Sequence, residues 1–154
     1  MRTASTRDMP TAAKLAGALV FGGCGALAAL LGIPTLPDEV VPGYLLPLSG
    51  VTGLWLGWAL MGRSPGRNIA QAITNGAATV IAMVLFVLVA ISCWEMIERS
   101  MRLRYDGPGE AVLDVANLLV YYAGFLAVPG VIAVLAIGVS LGSVVVLAVS
   151  RIWK

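Results

Sequence analysis

Few side chains in this sequence can do chemistry, and the most suggestive of them recur at helical spacing. Glu110, Asp114, Asn117 and Tyr121 follow one another at i, i+4, i+7 and i+11. That spacing puts them on one stripe of a helix, with Val112, Val115, Leu119 and Leu126 elsewhere on it. Two carboxylates one turn apart repel unless water, a cation or a guanidinium compensates. Arg99, Arg102 and Arg104 stand just upstream, so the stripe reads either as the solvated face of an interfacial helix or as a binding site. The arginines can pair with these local acids, hold lipid phosphates or attract an anion. A second stripe, Asn68, Gln71, Asn75 and Thr79, recurs at i, i+3, i+7 and i+11. Its two readings are interhelical hydrogen bonding and one wall of a polar path.

What is missing narrows the chemistry further. Histidine is absent, and Cys24 and Cys93 lie far apart inside apolar runs. His-ligated haem, zinc sites and a disulfide scaffold therefore lose their raw material. There is no phosphate-binding glycine loop, no Ser-His pairing and no metal-ligand cluster, so no catalytic residue, cofactor or metal is assigned and an enzyme is not expected. No nucleic-acid partner is expected either.

The elements that must position these residues follow from composition. Of 154 residues 59% are hydrophobic and 12% charged, with a mean hydropathy of +0.92, against roughly 25% charged in an average soluble domain. An all-helical membrane protein is predicted, a single integral domain over residues 1–154 with lipids as its surroundings. Leu15 to Ile33 is an uncharged run of 19 residues, about 28 Å of helix and close to the hydrocarbon thickness. Pro34, Pro37, Asp38 and Glu39 end it.

The second span is predicted over 42–62, with Pro42 in its first turn and Pro47 either kinking it or delaying its start. Trp55 and Trp58 are expected at its interfacial end. Pro65-Gly66 suits a type II turn, Gly66 supplying the positive φ. The third span, 69–94, is longer than a straight crossing needs and should tilt or emerge. Glu95 with Arg99 and Glu98 with Arg102 then support a helix continuing into water.

Val115 to Ser150 is uncharged over 36 residues but broken by Pro129-Gly130, too short for two spans and a turn, which need about 40. One span over 131–150, preceded by a shorter interfacial or partly inserted helix over 110–128, fits better. The fold class is thus four transmembrane helices plus one short amphipathic helix. None of the predicted spans carries an Asp, Glu, Lys, Arg or His in its interior, which argues against a proton-coupled pump. Small four-helix multidrug exporters resemble the chain in size and composition, but rely on a carboxylate in the first helix that Leu15 to Ile33 lacks.

Arg2, Arg7, Lys14, Arg63, Arg67, Arg151 and Lys154 fall on one side of this arrangement, against Arg99, Arg102 and Arg104 on the other. The bias predicts cytoplasmic termini and an even number of spans. Phe21-Gly22-Gly23-Cys24 loosely matches a lipoprotein cleavage box, but the apolar stretch runs on to Ile33 and reads as an anchor. Gly53 with Gly57 and Gly138 with Gly142 form small-xxx-small pairs, which pack helices within one bundle or between two copies. Cys24 and Cys93 are expected at different depths and unbonded.

Three segments resemble the TrgA family, small bacterial membrane proteins associated with tellurite resistance. They are Met9-Pro10-Thr11-Ala12-Ala13-Lys14-Leu15, Gly66-Arg67 leading to Thr74-Asn75-Gly76, and Arg102-Leu103-Arg104-Tyr105-Asp106-Gly107-Pro108-Gly109-Glu110-Ala111. Family members tend to begin at the first segment, so Met1 to Asp8 is either an extension or reflects a start at Met9. The resemblance implies a role in tolerance of tellurite at the bacterial inner membrane, by limiting uptake or assisting a partner. It brings no ligand-binding residues with it; Arg102, Arg104, Tyr105 and Asp106 are candidates because they match the family segment, and Glu110, Asp114, Asn75 and Gln71 because they form the stripes. The alternatives are an accessory or assembly subunit of a larger membrane complex, and a small transporter whose path is lined by the Asn68/Gln71/Asn75 and Glu110/Asp114/Asn117 stripes. The protein partners expected are further copies of the chain or a larger membrane complex, and a lone homo-oligomer would argue against the accessory-subunit reading.

Overall fold

The computed structural model describes residues 12–35, 42–64, 66–101 and 108–152. Met1 to Asp8, Pro65, Arg102, Arg104, Tyr105 and Asp106 lie outside the described residues. Five helices make up the described chain: α1 (Ala12–Gly32), α2 (Pro42–Leu56), α3 (Ile69–Met101), α4 (Pro108–Leu126) and α5 (Pro129–Ile152). α1, α2, α3 and α5 are long and apolar enough to cross a membrane, and α4 holds a shorter apolar stretch, Val112–Gly124. The protein is a four-span helical membrane protein with one additional helix.

The four spanning helices alternate in direction. The start of α1, the end of α2, the start of α3 and the end of α5 share one face, called here the terminal face: Lys14 lies against Gly62, and Arg151 reaches the loop before α3. Large apolar side chains point outward, among them Leu19, Leu27, Val51, Ile81, Leu85 and Leu141. Much of the interior is small: Gly17, Gly22, Gly25, Ala28, Ala29, Gly57 and Ala72 are buried. In water this distribution would be inverted. In lipid, tails solvate leucine as well as another helix does, so association depends on close packing, which small residues allow.

The tightest packing joins α1 to α2. A Cβ placed on Gly17 would lie 2.7 Å from the Gly57 carbonyl oxygen, and one on Gly25 would lie 2.5 Å from that of Ser49. Cβ atoms on Gly53 and Gly57 would overlap the carbonyl oxygens of Phe21 and Gly17. The two backbones therefore touch along most of the span. Gly138 and Gly142 of α5 meet the same helix from another side, against Cys24 and Val20. Both small-residue pairs are thus used inside one bundle.

Each glycine pair adjoins a π-helical turn, Gly57–Met61 after α2 and Gly138–Gly142 within α5. The Gly62 amide donates to the Gly57 carbonyl at 2.8 Å, one residue wider than an α-turn. Residues five apart share a face across such a turn, so Gly62 stays on the α1 side, where a Cβ would lie 2.6 Å from Lys14 Cα. Pro47 sits inside α2 without delaying it, because the helix already begins at Pro42. Trp55 stacks edge-on against Phe86 at 5.9 Å, partway along α3.

α3 is the longest element, 33 residues or about 50 Å, which exceeds the thickness of a bilayer core. This explains the excess length of the third span and the absence of a break at Trp94. α4 does not lie apart at the interface. It runs back along the half of α3 away from the terminal face, burying Leu118 and Tyr122 against Leu88, with Val84, Ile91 and Leu126 around them. Pro129, at the first turn of α5 after the extended Val128, then starts the last span.

The seam sets a clear expectation. Gly57→Leu should destabilise the protein by about 1–3 kcal/mol through overpacking, whereas Gly23→Leu, whose Cβ meets nothing within 4 Å, should be near neutral. Thermal unfolding of both variants in a mild neutral detergent checks this, and equal losses would remove the seam from its central position.

Candidate functional site

The two polar stripes end up at opposite ends of α3 with different occupations. At the terminal face, the Asn75 side-chain amide donates to the Ser64 carbonyl at 2.7 Å, and the Gln71 side-chain oxygen accepts from the Arg67 backbone amide at 3.0 Å. Thr79 donates its hydroxyl to the Asn75 carbonyl within the helix at 2.8 Å, and Asn68 is exposed. The loop they hold turns through Gly66, whose φ of +87° is the left-handed value the sequence predicts. Arg151 closes the set, its guanidinium donating to the Arg67 carbonyl at 3.0 Å. These side chains supply the carbonyls and amides of a short connection with partners they would otherwise take from water. Gln71 and Asn75 thus fasten the α2–α3 loop to α3, and Arg151 ties the same loop to α5.

The second stripe sits at the other end. Arg99 donates through Nε to Glu95 at 3.0 Å and through Nη1 to Asp114 at 3.3 Å. All three side chains are partly buried, between 16% and 25% exposed, so the pairing is shielded from screening more than a surface bridge would be. Glu95 to Arg99 is the i,i+4 pair that the sequence predicts. The bridge to Asp114 spans fifteen residues, and only the packing of α4 on α3 creates it. The repulsion expected between Glu110 and Asp114 is thereby compensated at Asp114 by Arg99. Along the rest of the stripe, Glu110, Asn117 and Tyr121 are exposed, and Tyr121 meets Tyr122 edge-on at 5.5 Å.

Asn75 and Arg99 are 24 residues apart on one helix, about 36 Å. The stripes therefore do not meet, and no continuous polar route joins them among the described residues. The interior between them is mostly apolar, with the side chains of Ser49, Thr52, Ser92 and Ser143 buried in it. A small pocket of about 50 Å³ sits there, bordered by Gly25, Ala28, Ser49, Met83, Val87 and Leu135. Two buried hydroxyls, on Ser92 and Ser143, have no hydrogen-bond partner among the described residues; Ser143 is pressed against Gly76 of α3. Both cysteines are free thiols, Cys24 donating to the Val134 carbonyl at 3.6 Å. Among the described residues no three Cys, Asp or Glu side chains converge as metal ligands.

Compared with protein-family models, with curated proteins and with solved structures, the chain shows no match. The site is thus defined by its own geometry: a charged end where Arg99 and Asp114 join α3 to α4, the one three positions before and the other seven positions after a segment, 102–107, that carries four of the candidate residues. Sequence reasoning names Arg99 as one of three arginines and as the i,i+4 partner of Glu95. Its bridging position has no signal in the spacing, because Asp114 belongs to another helix.

Removal of the Arg99 bridge should loosen α4. A double-mutant cycle with Arg99→Ala and Asp114→Ala is expected to give a coupling of about 0.5–1 kcal/mol at low salt, read from thermal unfolding, and less at high salt. At the terminal face, Asn75→Ala should leave the spans intact but speed proteolysis in the loop between Gly62 and Asn68, since a local opening costs less once its anchor is gone.

Proposed function

We propose that this chain is a non-enzymatic, multi-pass inner-membrane protein that contributes to tolerance of tellurite or a related oxyanion, working from the face opposite the termini. The family resemblance motivates the substrate class. The observation that carries the choice of face is the Arg99 bridge, which draws Glu95 and Asp114 together and so holds the two helices that flank the Arg102 to Asp106 segment. A cationic segment held between fixed helix ends is suited to attract an oxyanion at the membrane surface or to present a charged surface to a partner. In this reading the termini and the loop before α3 are cytoplasmic, in keeping with the seven Lys and Arg of that side. The chain limits uptake or assists a partner and performs no chemistry on the anion.

The separation of the two stripes speaks for this reading over a transport path. A path would need polar groups through the middle of the bundle, where the walls are mostly apolar.

The test is tellurite tolerance of a deletion strain complemented with the full chain, with a Met9 start, or with Arg104→Ala plus Asp106→Ala, all at matched membrane expression. Wild type and the Met9 start should restore growth, and the double variant should lower the tolerated concentration by at least one step of a serial dilution. Tolerance unaffected by deletion would sink the proposal.

A further inference from the structure

On the lipid-facing side of α2 and α3 lies a groove of about 480 Å³, within the volume range of small-molecule sites. Its composition is graded along the span. Leu45, Pro47, Leu48, Val51, Ala90 and Ile91 line it with apolar surface, while Tyr44, Trp94, Glu95 and Glu98 gather at the end away from the terminal face. The rings of Tyr44 and Trp94 are 5.7 Å apart, and both side chains are well exposed. From Val51 to Tyr44 the groove runs seven residues along α2, about 10 Å parallel to the span.

Two aromatic rings with two carboxylates beside them match an ammonium group: the ring faces attract a cation, and the carboxylates accept its N–H donors or balance its charge. Glu95 also accepts from Arg99 and Glu98 is engaged as well, which moderates their pull without removing either carboxylate from the groove wall. An anion would meet the same carboxylates as a like charge. The apolar length below the mouth matches a hydrocarbon chain, and the groove opens sideways between two spans, where the bilayer supplies its own amphiphiles.

We propose that this groove holds one membrane phospholipid whose headgroup presents an ammonium, phosphatidylethanolamine being the probe, with its acyl chain along Leu48, Val51 and Ala90 and its ammonium at Tyr44, Trp94 and Glu98. The site is independent of oxyanion tolerance, since it selects for positive charge and uses none of residues 102–107. Its role is to fix a lipid of one headgroup class against α2 and α3 beside the Arg99 bridge.

The experiment is native mass spectrometry of the full chain released from neutral detergent micelles, titrated with phosphatidylethanolamine or phosphatidylglycerol of identical acyl chains. One phosphatidylethanolamine should bind in preference to phosphatidylglycerol by about fivefold. Glu98→Gln should bring that ratio close to one while a lipid still binds. Val51→Trp, which fills the groove from its open side at an exposed position, should remove the bound lipid whatever its headgroup. Monodisperse elution and an unchanged helical circular dichroism spectrum show that both variants fold. Equal binding of the two lipids by wild type, or a preference that survives Val51→Trp, would overturn the site. Displacement of the lipid by dodecyltrimethylammonium at lower concentration than phosphatidylethanolamine needs to bind would overturn the lipid assignment in favour of a free amphiphilic cation.

Discussion

The contact of the α1 backbone with the α2 backbone is the constraint on which the rest of the bundle depends. Between two helices in lipid there is little hydrophobic gain, because the tails solvate an apolar side chain as well as a neighbouring helix does. What remains is dispersion at close range, and dispersion falls steeply with a gap of half an ångström. Glycine at 17, 25, 53 and 57 removes the atoms that would hold the helices apart. Once α1 is seated in this way, its remaining faces are surfaces for other spans, and α5 uses one of them through Gly138 and Gly142. The π-turns belong to the same constraint. They rephase a helix by one residue, and at Gly57 that keeps Gly62 against Lys14 instead of rotating it toward lipid.

Polar groups are arranged around this apolar seam by a second rule, that a hydrogen-bonding group in hydrocarbon must find a partner inside the protein. Ser92 and Ser143 are exceptions among the described residues; elsewhere polar side chains bond to their own helix backbone or gather at the ends of α3. Because that helix is longer than a bilayer core, its first turns stand beside the preceding loop and its last turns stand beside α4. Asn75 and Gln71 serve the loop backbone, and Arg99 serves two carboxylates. Side chains of similar polarity thus perform different tasks, decided by what the helix end happens to face.

The charged end and the lipid-facing groove share a residue. Glu95 belongs to both, accepting from Arg99 on one side and lining the groove on the other. A carboxylate shared in this way couples the seating of α4 to the wall of the groove.

Composition, helical periodicity and the position of Pro and Gly were enough to determine the element inventory. Four spans, the helix before the last one, the turn through Gly66 and the Glu95 to Arg99 pair were all legible, because each rests on residues within a few positions of one another. The tertiary structure alone decided who meets whom. That the glycine pairs face α1, that Asn75 caps a loop and not another helix, that Asp114 answers Arg99, and that Tyr44 and Trp94 share the mouth of a groove are relations between separate helices. In lipid almost every face of such a helix is apolar, so the hydrophobic pattern that would orient it in water is weak, and the choice of face falls to steric fit between backbones, which no local spacing encodes.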